Sequence, residues 1–243
     1  ARSSNNLGIL QRDGGDWPGA LQTYQRCLKA MQTIGDIEGI AIAHTNIGNV
    51  YIDLGDWAAA EKNLRQSYEI AQEIANPYER AQATRTLNRL YLRKGEWTTA
   101  NQYLDTALAL YAKVGVSANP NVIDAYWLRA VIALEQGDIA TSEEWAGRNL
   151  ALLREGTGGR DGESPEWGRY YQLMGRLLLE RGSVRDALGR LSRARTIFEA
   201  NRSHVEIGRT EYWMAQARWR LDDPDDARRH ATEALEVFRQ LGA

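Results

Sequence analysis

Arg85, Arg89 and Arg93 stand four residues apart, so on a helix their guanidiniums share one face. A guanidinium is a planar fork that grips a carboxylate or phosphate through two parallel hydrogen bonds, and nearby aromatic rings can shelter such a contact from water. The chemistry on offer is anion recognition. Against it stands the plainer reading that the arginines solvate an exposed face or pair with neighbouring acids. Other reactive types are sparse. The acidic run Asp222-Asp223-Pro224-Asp225-Asp226 has oxygens for a hard cation but lacks the glycine and distal glutamate of a calcium loop, and it suits a helix start. His44, His204 and His230 show neither zinc-ligand spacing nor a nucleophile to serve, and read as packing or surface residues. The glycine-rich segment from Gly156 to Gly162 is followed by Glu163 where a phosphate-binding loop needs lysine, so it reads as a connector. No catalytic triad, metal motif or cofactor fingerprint appears, so neither an enzyme, a metal nor a cofactor is expected.

The elements that would position these residues repeat. The stretch Asn46 to Ala60 contains a helix end, a Gly-Asp turn and a helix start. Copies of its turn fall at Gly15, Gly55, Gly95, Gly137, Gly182 and Asp222, spaced by 40, 40, 42, 45 and 40 residues. Five positions after each marker stands a small residue: Ala20, Ala60, Ala100, Ser142, Ala187, Ala227. Twelve after it stands another small or modest one: Cys27, Ser67, Ala107, Asn149, Ala194, Ala234. Small residues at fixed offsets let helix backbones approach, so each unit is expected to be an antiparallel helical hairpin. Asp16 is placed as a cap, Pro18 tolerates a first turn and Gly35 suits a left-handed stop. Trp17, Trp57 and Trp97 open successive second helices and are expected in the core.

The order of His44, Ile47-Gly48, Tyr51, Gly55, Ala60 and Leu64 resembles the tetratricopeptide repeat. The resemblance covers the whole chain, although the period is longer than the usual 34 residues. It is similar in this to the long-period subgroup of signalling adaptors and bacterial signalling ATPases and transcription regulators. The resemblance implies an all-α fold, a right-handed α-solenoid of about six hairpins. The repeats are expected at residues 1–35, 36–76, 77–119, 120–163, 164–202 and 203–243, as a single array.

In proteins of this kind the first helices line the concave groove. The resemblance then places Asn46 and Asn49 on the ligand-facing stripe of repeat two, and Arg85, Arg89 and Arg93 on that of repeat three. Trp127 follows in repeat four, Arg169 and Arg176 in repeat five, and Tyr212, Trp213 and Arg220 in repeat six. Arginines, amides and aromatics together suit an acidic or phosphorylated extended peptide. The clamp by which some members hold a chain-terminal carboxylate is not expected, because only Asn46 of its positions matches.

Composition bounds the rest. With a net charge of −2 and 26% charged residues, no field of one sign directs the chain to nucleic acid or a membrane. Its one cysteine, Cys27, excludes an internal disulfide and fits a reducing cytoplasmic setting. No apolar run reaches membrane-spanning length. The chain opens Ala-Arg part-way through a helix, which is expected of a fragment of a longer protein. The reading is a non-catalytic interaction scaffold for signalling, binding a partner peptide or protein segment. The alternative is an effector-sensing or oligomerisation arm of a larger regulator, with self-association through the array ends. For this last, Ala227, Ala231, Ala234, Leu235 and Phe238 are expected to leave apolar surface on the final helix.

Overall fold

The computed structural model describes residues 2–115, 120–157 and 161–241. Residues 116–119 and the middle of the glycine-rich connector, residues 158–160, lie outside them. Twelve α-helices run through the described residues. The first six are α1 (Arg2–Asp13), α2 (Trp17–Ile34), α3 (Ile37–Leu54), α4 (Trp57–Glu73), α5 (Pro77–Arg93) and α6 (Trp97–Lys113). The others are α7 (Pro120–Glu135), α8 (Ile139–Gly156), α9 (Pro165–Glu180), α10 (Val184–Ala200), α11 (His204–Arg220) and α12 (Pro224–Gln240). The chain is all-α, with helices packed in pairs of the tetratricopeptide type.

Each hairpin follows from its turn. At the end of α3, Gly55 sits at φ 77°, a left-handed conformation that costs a residue without Cβ little. There the amide of Gly55 reaches the Ile52 carbonyl at 3.2 Å and that of Asp56 reaches Tyr51 at 3.0 Å. Asp56 then caps α4, its carboxylate accepting from the Ala59 amide at 3.0 Å. A two-residue turn leaves the second helix no course but back along the first. In the last hairpin the same position is Asp222, at φ 58°. The acidic run beside it serves as a helix start: Asp223 accepts from the Asp226 amide at 3.3 Å, and Arg218 lies 3.3 Å from the Asp226 carboxylate.

The small residues do what their spacing predicted. Ala20, Ala60, Ala100, Ser142, Ala187 and Ala227 are all buried, and so are the six residues seven places further on. Gly48 shows how close the helices come, since a Cβ there would lie 2.7 Å from the Leu64 side chain. The tryptophans divide. Trp17 is buried, but Trp57 is 38% exposed and Trp97 half-buried. All three stand in the first turn of their helices, so position in the hairpin does not set their burial.

Two compact units emerge, residues 1–125 and 126–242. In the first, α1 pairs with α2, α3 with α4 and α5 with α6, and each second helix packs on the next first helix. First helices also touch one another, α3 on α5. The second unit repeats the pattern, with α9 on α10, α11 on α12 and α9 on α11. In each unit the first helices therefore form one continuous layer, and that layer carries the candidate site.

Candidate functional site on the first-helix layer

In the first unit the polar stripe of α3 meets those of α1 and α5. Asn46 donates its amide to the Asn5 side-chain carbonyl at 2.6 Å. Asn49, nearly buried, accepts from Arg89 Nη1 at 3.0 Å. Arg85 is bonded to Asp124, and its Nη2 also approaches Gln82 Oε1 at 3.4 Å, an oxygen that accepts from the Tyr111 hydroxyl at 3.3 Å. Asp53 sits between two cations without bonding either. Arg12 Nε lies 3.8 Å from it and Arg89 Nη2 lies 3.9 Å away, both beyond hydrogen-bond reach. Arg12 has a closer partner in the exposed Asp13, at 2.9 Å.

The two central arginines thus differ in kind. Burial, the largest single influence, would lower the pKa of Arg85, but Asp124 and Tyr111 together outweigh it and the guanidinium is raised. Arg89 is pulled the other way. Burial, joined by the like charges of Arg12 and Arg85, brings it down to about 10 in spite of Asp53 and Asp124. Arg89 is a cation held in a desolvated place with too little negative charge around it. Arg93, the third member of the predicted stripe, stands at the exposed end of α5.

In the second unit the arginines are covered by rings and acids. Arg176 lies over the Trp213 ring at 4.4 Å and reaches Glu135 at 2.5 Å. Arg169 lies over Trp127 at 5.6 Å and pairs with Glu166 at 3.3 Å. Arg220 bonds the Leu179 carbonyl and pairs with Glu180 at 3.3 Å. Tyr212, half exposed, meets Trp213 edge to face at 4.9 Å. Trp127 and Trp213 each carry their own arginine, and no ring contact joins them among the described residues, so the three aromatics do not close a common pocket.

These bridges share one spacing. Asn5 with Asn46, Arg12 with Asp53, Asn49 with Arg89, Arg85 with Asp124, Glu135 with Arg176 and Glu180 with Arg220 are separated by 39 to 41 residues, one repeat. Each ties a first helix to the next. Much of the arginine stripe is therefore paired within the fold. Arg12 went unrecognised in the sequence, although it stands one repeat before Asp53 with the opposite charge.

A second buried network was also not foreseen. His230 of α12 and Glu211 of α11 are each 1% exposed and meet at 2.5 Å through Nδ1. Nε2 lies 3.2 Å from Arg229, which can only donate, so Nε2 accepts and Nδ1–H is the donor to Glu211. Glu233 completes a trio with ligand atoms close enough for a metal. However, Arg195 lies 2.9 Å from Glu211 and Arg229 lies 3.0 Å from Glu233, so the guanidiniums already hold these donors. His44 is bonded to Asn63 at 2.9 Å and His204 is exposed.

A cavity of about 440 Å³ opens beside the first-unit stripe, lined among others by Asn5 of α1, Cys27 and Met31 of α2, and Asp36, Glu38 and Ile42 at the start of α3. Glu79, at the start of α5, is pushed up to about 7 by burial and by Glu38.

Paired helices with left-handed glycine turns, small residues at the crossings and a polar first-helix layer define a tetratricopeptide-repeat protein. Within that class the chain belongs to the MalT-like TPR region family, whose model matches residues 4–243. No curated protein matches it by sequence. Among solved structures it is similar to a Rap protein complexed with competence and sporulation factor, at 13% identity over 99% of this chain and 65% of that one, with a TM-score of 0.78. A Rap conjugation gene regulator of plasmid pLS20, in complex with a Phr peptide, matches at 12% identity over 97% and 72%, with a TM-score of 0.73. BtubC from P. vanneervenii matches at 17% identity over 92% and 91%, with a TM-score of 0.64. At these identities the likeness is one of fold. No described helix is long and apolar enough to cross a membrane.

Proposed function

We propose that the chain is a non-catalytic interaction module that captures a partner peptide or protein segment on its first-helix layer, with an acidic group of the partner against Arg89. The observation that carries this is the unequal treatment of the arginines. Arg85, Arg169, Arg176 and Arg220 are spent on acids, rings or carbonyls of the fold. Arg89, about a quarter exposed, has only a side-chain amide in hydrogen-bond reach, a carboxylate shared with Arg12 at 3.9 Å, and two other cations nearby. A partner carboxylate or phosphate would complete its fork. The similar Rap structures, one complexed with competence and sporulation factor and one with a Phr peptide, lend the fold a precedent for peptide capture.

The test is capture from the source lysate on immobilised chain, comparing Arg89→Gln with Arg93→Gln. A partner kept by Arg93→Gln and lost by Arg89→Gln supports the reading. Equal recovery by both would favour the second reading, an oligomerisation arm of a larger regulator. That reading has its own observation: Leu7 and Leu10 of α1 are 51% and 71% exposed. Sedimentation velocity on Leu7→Glu/Leu10→Glu would separate the two.

A further inference from the structure

We infer that the segment bound by the first unit carries two opposite charges in a set register: an acidic residue at Arg89 and a basic residue, about five positions away, in the cavity between α1, α2 and the start of α3. This rests on capture by the first-helix layer, as proposed above. The cavity and the stripe are continuous, for Asn5 lines the cavity and also accepts from Asn46. Their chemistry is opposite. Cys27, Met31 and Ile42 give the cavity an apolar wall for an aliphatic stem, while Glu38, with Asp36 that caps α3, lines it with carboxylates for an ammonium or guanidinium. Glu38 is exposed and, among the described residues, accepts only the Asn76 amide, at 3.0 Å, which leaves its charge uncancelled there. Beside it the carboxyl of Glu79, nine-tenths buried, has neither an ion pair nor a side-chain hydrogen bond among the described residues, so a cation brought to Glu38 would also favour the ionised form of Glu79.

The register follows from helix geometry. Glu38 and Asn49, which holds Arg89, are eleven residues apart on α3. At a rise of 1.5 Å per residue this is about 16 Å. An extended peptide advances about 3.3 Å per residue, so its two charges fall about five positions apart.

The test is selection from a phage-displayed library of random dodecamers on the immobilised chain, followed by fluorescence anisotropy on synthetic copies of the enriched peptides. The expected peptides carry Lys or Arg about five positions from Asp or Glu. Neutralising either charge weakens binding about tenfold. Loss of the basic residue has no further effect in Glu38→Gln, and loss of the acidic one has none in Arg89→Gln. Thermal melts of both variants confirm that they are folded, and Arg89→Lys restores part of the affinity. Enriched peptides with an acid alone, bound equally by Glu38→Gln but lost by Arg89→Gln, overturn the two-charge register and leave peptide capture standing. Peptides bound equally by Arg89→Gln, or no enrichment at all, overturn both.

Discussion

At the scale of single residues, identical side chains on one stripe have different duties because their counter-charges differ. Arg85 and Asp124 are both largely buried, so removing one strands the other. Arg85→Gln is expected to lower stability by about 3 kcal/mol in urea denaturation, whereas Arg89→Gln, which relieves a crowded cation, should change it by under about 1 kcal/mol. Glu79 makes a pH prediction. Its folded pKa of about 7 lies above the ordinary carboxylate value. Its protonated form therefore suits the fold, and its contribution is fully present below about pH 4.5 and lost as the pH rises through 7. Allowing for solvent screening, Glu79→Gln should be more stable than the parent by roughly 1–2 kcal/mol at pH 8 and equal to it at pH 4. Melting temperatures at the two pH values check this.

At the scale of elements, the hairpin is held by close approach and by its turn. Gly48→Ala would drive a Cβ into Leu64 and should cost about 1–3 kcal/mol of stability, seen as a lower urea midpoint with unchanged slope. The last turn invites the opposite change. Asp222 occupies the left-handed position that five other hairpins give to glycine. Asp222→Gly is expected to raise stability by about 0.5–1 kcal/mol, because only the strained conformation is relieved while the Asp223 cap stays. The α12 residues predicted to leave apolar surface divide by face. Ala227 and Ala234 are buried against α11, Phe238 is half-buried, and Ala231 and Leu235 face outward. Ion pairs such as Arg229 with Glu233 flank that outer face.

At the scale of the whole molecule, a net charge of −2 supplies no long-range pull toward an anion. Attraction must come from local clusters, which salt screens only partly when they are recessed. Capture of an acidic peptide at Arg89 is therefore expected to weaken only a few-fold between 50 and 300 mM salt, measured by anisotropy. A loss of a hundredfold or more would point instead to an exposed polyelectrolyte contact of the kind nucleic acids make.

The period, the turns and the small crossing positions could all be read directly from the sequence, because each is a local requirement that recurs with every hairpin. The left-handed turn residues consequently fall at the six expected markers. Which first-helix arginine is least neutralised was not local. It depends on residues one repeat away: Asp124 neutralises Arg85, Asp53 is shared by Arg12 and Arg89, and Glu135 takes Arg176. The same holds for the tryptophans, alike in sequence but covered to different degrees, and for His230, whose partner Glu211 arrives from the facing helix. Sequence determined the repeating backbone through short-range sterics. Only tertiary packing decided how burial and pairing distribute charge among side chains of the same type.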